Sequence, residues 1–199
     1  MLKLDLQFFS DNKVEYGLSN VHYAPYTEVD GVVTFDTPIP IPGAVSMTST
    51  PSGESTPFHA DNMVYYLVDT NQGYEATLSI ANIPQQFAID ALGEQLDETD
   101  GVLNEVADAQ KKRFALLFQF EGDKQAVRHV MYNCQASRPG VSGSTKTGST
   151  EITPKELTLA ASPIKIADKL LVKTKTTATT PPAIYDSWFD TVYQKTPQV

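Results

Sequence analysis

One cysteine among 199 residues, Cys134, leaves no partner for an intrachain disulfide, so stability must come from packing or from neighbouring subunits. Cations are also scarce: 15 Lys and Arg face 24 Asp and Glu, a formal net charge of -9. That balance argues against a surface that grips phosphates, because nucleic-acid binding is driven by Lys and Arg releasing counterions. An acidic surface repels DNA instead, which is useful where DNA must pass without sticking. No run approaches the apolar length needed to cross a bilayer. MLKLDLQFF at the start is too short for a secretory signal, carries Asp5 in its middle and lacks a small-residue cleavage site. Its Leu2, Leu4, Leu6 and Phe8 alternate as one strand face does. Residues 1–12 therefore read as a leader, or as an arm that pairs with a neighbouring subunit's sheet edge.

What is present points to strands. The hydrophobic share of 41% and charged share of 20% are those of a globular protein, and abundant Thr, Ser and Pro disfavour an all-helical fold. Residues 13–199 suit one domain. VEYGLSNVHYAPYTE, MVYYLVD, YEATLSIAN, FALLFQFEG, AVRHVMYNCQ, KELTLAA and KLLVKTKTT carry strand-like spacing. In YEATLSIAN, Tyr74, Ala76, Leu78 and Ile80 share one face, and Glu75, Thr77 and Ser79 the other. Residues 36–61 hold five prolines and predict a long protruding loop or hairpin, with PSGE at 51–54 as its turn. One amphipathic helix is predicted over 84–92, with Pro84 at its start, Phe87, Ala88, Ala91 and Leu92 on one face, and Gly93 at its end. Residues 136–154 read as a polar loop, and 183–199 as an aromatic tail that is either helical or extended and needs a surface to cover. The predicted fold is mainly β, an antiparallel sandwich or barrel of about eight strands with one flanking helix.

No constellation of catalytic residues survives inspection. GVSGSTKTG places Lys146 and Thr147 as a phosphate loop would, but Thr145 stands where the second glycine must be and no helix follows. His22, His59 and His129 lack an activated nucleophile, since no nucleophile elbow is present. His129 and Cys134 are five apart on one predicted strand, which puts them on opposite faces and argues against a shared metal ion. DETD at 97–100 lacks the spacing of a calcium loop. Arg128 and Arg138 flank the same strand and are expected in ion pairs within or between subunits. The reading is of a non-enzyme without cofactor or metal.

NKVEYGLSNVHYAPYTE, PGA at 42–44, FHADN at 58–62, GYEATLSIANIPQQF, LG at 92–93, FALLFQFEGD, ASRP at 136–139 and YDSWFDTVY occur in an order that resembles the major tail proteins of long-tailed, non-contractile phages and prophages of Gram-positive bacteria. The likeness runs over about residues 13–193 and leaves out 1–12. The resemblance implies a structural virion protein whose hexameric rings stack into a tail tube around a tape-measure protein. It implies further contacts with tail-end and distal tail proteins, assembly in the host cytoplasm, no membrane partner, and passage of double-stranded genomic DNA during ejection. Glu75 and Glu121 are the acidic candidates for the lumen. Pro42, Phe58, Asp61, Arg128, Arg138, Trp188 and Phe189 are the candidates for subunit contacts. The alternative is a carbohydrate-binding β-sandwich of a phage tail or cell surface, using Tyr23, Tyr26, Tyr65, Tyr66 and Trp188 as stacking platforms.

Overall fold

A computed structural model describes residues 12–143, 145 and 153–195. In chain order its strands are β1 (Glu15–Val29), β2 (Val32–Phe35), β3 (Ile39–Pro40), β4 (Ala44–Ser52), β5 (Ser55–Ala60), β6 (Met63–Asp69) and β7 (Gly73–Ile80). Helix α1 (Gln85–Phe87) continues with π-helical pairing through Ala88–Leu92. Then come β8 (Gln95–Asp97), β9 (Val102–Asn104), β10 (Phe114–Gly122), β11 (Val127–Ala136), β12 (Lys155–Ala161), β13 (Ile164–Ile166), β14 (Lys169–Leu171) and β15 (Lys173–Lys175). Helix α2 (Pro182–Asp186) ends in a 3-10 turn over Ser187–Phe189. The protein is mainly β with antiparallel sheets and two short helical segments, as its Thr-rich and Pro-rich composition predicts.

The large sheet runs in the order β2-β1-β10-β11-β12-β7-β4. Its ends approach each other through one bent stretch. Ile39 and Pro40 pair with Tyr23 and His22 of β1, and the Ile41 amide donates to the Val21 carbonyl. Beyond Gly43, whose φ of 81° only glycine adopts freely, the chain crosses to pair with β7. This bend packs Ile39, Ile41 and Ala44 against a core of Tyr23, Leu78, Ile80, Phe114, Leu116, Met131 and Leu157. The helical segment lies against this core through Phe87, Ala88, Ala91 and Leu92, with Pro84 as its N-cap and Gly93, at φ 81°, as its C-cap. Tyr23, Phe87 and Phe114 meet edge to face, and the Tyr23 hydroxyl donates to Asp90 Oδ2.

Strands β10 and β11 are buried on both faces over Phe114–Phe118 and His129–Cys134, so only the turn end of the hairpin, with Glu121, is polar and exposed. Ala115, Leu117, Val130 and Tyr132 point into a second core, closed by Ile164, Ile166, Trp188 and Val192. A bulge changes the expected parity. Phe114 pairs with Cys134 but Leu116 pairs with Met131, which inserts one extra residue at Tyr132 and Asn133. Cys134 thus joins Met131 in the first core, and His129 stacks on Phe118 of that same core, rings parallel at 5.0 Å. His129 and Cys134 share a face, contrary to the two-residue period.

The segment 36–61 is mostly strand rather than loop, and Pro51–Glu54 does not reverse the chain. Strands β4 and β5 run onward together, pairing with β7 and β6 of the return path. Bonds between Glu54 and Thr70 and between Gln72 and Ser52 bridge the junction. The reversal comes at Asp61 and Asn62, both with positive φ (52° and 62°), as a two-residue hairpin turn requires.

Candidate assembly surfaces

The hairpin β5–β6 projects past the ends of β4 and β7 as an arm, and none of its side chains from Met63 to Asp69 is covered. Phe58, Met63, Val64, Tyr65, Tyr66, Leu67 and Val68 are all 46–70% exposed. Register divides them over both faces. Phe58 lies opposite Tyr66, and Ala60 opposite Met63, on one face; Pro57 opposite Leu67 and His59 opposite Val64 lie on the other. A two-stranded ribbon with apolar side chains on both faces is marginal in water, which makes it a candidate interaction surface. Glycine fixes its root: a Cβ at Gly53 would lie 2.0 Å from the Thr70 carbonyl oxygen, and one at Gly73 would lie 1.9 Å from that of Ala161.

The second surface is the outward side of β4, β7 and β12. Opposite the buried Ala76, Leu78 and Ile80 stand Glu75, Thr77 and Ser79. Cross-strand rows join Thr48, Thr77 and Thr158, then Thr50, Glu75 and Ala160, then Ser46, Ser79 and Glu156. This face carries hydroxyls and two carboxylates and no Lys or Arg among those positions. Glu121 is exposed near the end of β10, on the side opposite the first core.

The remaining candidate residues divide between the chain's own interior and its surface. Trp188 is 2% exposed, and its indole donates to the His129 carbonyl. Arg128 makes no ion pair among the described residues. Its guanidinium lies 3.8 Å over the Tyr185 ring and 5.1 Å from Phe189, and donates to the Tyr185 carbonyl. Phe189 also stacks on His22. Arg138 pairs with Glu105 at 3.0 Å and donates to the Val106 carbonyl. Pro42 is exposed at the bend between β3 and β4, and Asp61 at the arm's tip. Of the stacking platforms, Tyr23 and Trp188 are core residues and Tyr26 is half-buried, its hydroxyl donating to Asn133 Oδ1, which leaves Tyr65 and Tyr66.

Chemistry at the buried groups is subdued. Burial pushes the Cys134 thiol up to about 12, and it donates to the Met131 carbonyl. Burial, with Lys175 and Lys173 nearby, holds His129 down at about 4, and its Nε2 has no partner among the described residues. Among the described residues no group of three or more His, Cys, Asp or Glu is placed to hold a metal ion, and no helix is long and apolar enough to cross a membrane. The leader 1–11, the phosphate-loop-like Lys146 and Thr147, the rest of the loop up to 152 and the last residues of the tail lie outside the described residues.

The strand reading missed the arm's exposure, because MVYYLVD is a near-continuous apolar run of the kind that buried strands show. The available signal was the Asp61–Asn62 pair, which allows a two-residue turn and makes β5 and β6 an isolated hairpin.

No protein-family model matches the sequence, and comparison with curated proteins gives no match. Among solved structures, the chain is similar to the anti-feeding prophage cap, the AFP tube terminating cap, at 15% identity and a TM-score of 0.46, over 86% of this chain and 99% of that one.

Proposed function

We propose that this chain is a non-enzymatic virion protein, a tail-tube subunit that assembles with copies of itself into stacked, hexameric rings around a tape-measure protein. The observation that carries the reading is the β5–β6 arm, whose two apolar faces are both exposed in the single chain. Such an arm needs partner surface on both sides, which an assembly of identical subunits supplies. The ordered sequence resemblance to phage major tail proteins supports the same reading, and so does the absence of a catalytic constellation in the sequence.

In this reading the hydroxyl-rich face of β4, β7 and β12 lines the lumen, with Glu75 and Glu156 contributing negative charge and Glu121 standing further along the same side of the sheet. With acidic groups and no Lys or Arg at these positions, the face has nothing to displace the counterions of the phosphates, so double-stranded DNA slides. Phe58 and Asp61 make subunit contacts through the arm, and Pro42 and Arg138 from exposed positions. Arg128, Trp188 and Phe189 contribute by holding the C-terminal segment in place. Tail-end and distal tail proteins take the ends of the tube.

The test replaces residues 53–72 by Asn-Gly, joining Ser52 to its cross-strand partner Gly73. The shortened chain is expected to fold, keeping a β-type far-ultraviolet spectrum and a cooperative melt, and to stay monomeric where the full chain assembles. Tubes formed by the armless chain would overturn the role given to the arm.

A further inference from the structure

We infer that the groove between the helical segment and the β8–β9 hairpin receives the β13–β14 hairpin of a second copy of this chain, with Leu170 as the side chain that enters it. This rests on the tube-subunit reading and adds a contact between copies that is separate from the arm. Charge is divided along the chain. Residues 14–110 hold 15 Asp and Glu and no Lys or Arg, while residues 111–199 hold 13 Lys and Arg against 7 Asp and Glu. The acidic total of the chain thus hides an acidic part and a basic one, and each offers the other a match.

The groove belongs to the acidic part. Its walls are apolar, with Ile83, Leu92, Leu96, Leu103 and Pro139 around a volume of about 340 Å³, and Glu94 lines it as well. Asp97, Glu98 and Asp100 stand at the β8–β9 turn, and Glu105 and Asp108 follow β9. Of the neighbouring cations, Arg138 pairs with Glu105 and Arg113 donates to Asn133 Oδ1. That leaves Lys111 and Lys112 against Glu94, Asp97, Glu98, Asp100 and Asp108, so the rim stays acidic. Apolar walls with an acidic rim fit an occupant that is apolar and basic.

The β13–β14 hairpin has that character. Between residues 157 and 185 stand Lys165, Lys169, Lys173 and Lys175 and one carboxylate, Asp168, and none of them is in an ion pair among the described residues. Register places Leu170 directly across from Lys165, on the face opposite the buried Ile164 and Ile166. Leu170 is 71% exposed, the most of any leucine among the described residues, with Lys169 beside it. Lys173 lies further on, over the Tyr74 ring. Asp186 and Asp190, on the C-terminal segment that closes the same core, follow the two rings that Arg128 covers, so a cation stands among those carboxylates. Groove and hairpin cannot meet within one chain. Leu92 and the helical segment pack on the first core, and Ile164 and Ile166 on the second, on opposite sides of β10 and β11. A contact between unlike surfaces on opposite sides is heterologous, and it repeats from copy to copy instead of closing on itself as a dimer.

Cysteine cross-linking of full chains, combined with charge reversal, tests this, since the native thiol of Cys134 is fully buried and out of reach. A Leu170→Cys chain is mixed with a size-tagged Leu103→Cys chain under mild oxidation, and in a second mixture Leu96→Cys replaces Leu103→Cys. The expected result is a mixed disulfide dimer as the dominant cross-linked species. It should be lost when Lys165→Glu and Lys169→Glu are added to the Leu170→Cys chain, and return when Glu98→Lys and Asp100→Lys are added to its partner. All four charge positions are exposed, so every chain is expected to keep a cooperative melt. Leu170→Cys homodimers in place of mixed ones, a mixed dimer indifferent to both charge reversals, or assembled tubes with no mixed dimer from either mixture would each overturn the groove as the hairpin's seat and leave the tube reading intact. Chains that stay monomeric by light scattering and form no cross-link overturn both.

Discussion

His129 is the residue whose environment departs furthest from what its sequence position suggests. It sits against Phe118 and Phe120 with its Nε2 unpartnered among the described residues, and its protonation is held down at about 4 against an ordinary 6.5. The unfolded chain takes up this proton from about pH 6.5 downward and the folded chain only near 4, so stability is lost as pH falls through that window. Between pH 7.5 and 5 the melting temperature of the native chain should fall more than that of His129→Phe, measured by thermal denaturation. Equal slopes would show that this ring's burial is not the cause. The stacking of His129 was not legible beforehand. Strand parity placed it opposite Cys134, and a single extra residue at Tyr132–Asn133 brings the two onto one face. Bulges depend on the partner strand, here Phe114 to Leu116, which no local pattern records. Arg128 shows the same limit: its partners Tyr185 and Phe189 are aromatic rings distant in sequence, whereas a charged residue in an acidic chain suggested a carboxylate.

At the scale of elements, local rules served where the element is locally determined. The helix begins at Pro84 and ends at Gly93 because those residues dictate backbone angles regardless of context, and its apolar face is the one the spacing predicts. The π-helical pairing over Ala88–Leu92 has no such signature. Gly73 offers a sharper test, since it combines φ 118° with a Cβ position 1.9 Å from the Ala161 carbonyl. Gly73→Ala is expected to cost about 2–4 kcal/mol in urea unfolding, from backbone strain and the forced shift of β12. An unchanged midpoint would contradict the close packing at the arm's root. The C-terminal segment supplies the lid of the second core through Trp188, which reconciles the two readings of the tail: a helical turn that is also stapled down. Trp188→Ala should cost about 3–5 kcal/mol and make the segment after Pro181 an early site of proteolysis. A tail that stays protected would mean that Arg128 and Tyr185 hold it unaided.

For the whole molecule, composition predicted the class, a β-rich chain short of cations, and the ordered motifs predicted an assembling one. What composition could not show is that the apolar surface is concentrated. The chain puts most of its hydrophobic strands into two ordinary cores and then leaves one hairpin, β5–β6, bare on both faces. A monomer gains nothing from that arrangement, while a subunit that must reach its neighbours does. Negative-stain electron microscopy of the purified full chain, paired with light scattering across a concentration series, measures this directly. Rings or tubes of one uniform diameter, growing with concentration, are the predicted result. A strictly monomeric protein at the highest concentration, with no rings or tubes in any field, would contradict the assignment of this chain to a self-assembling tail tube.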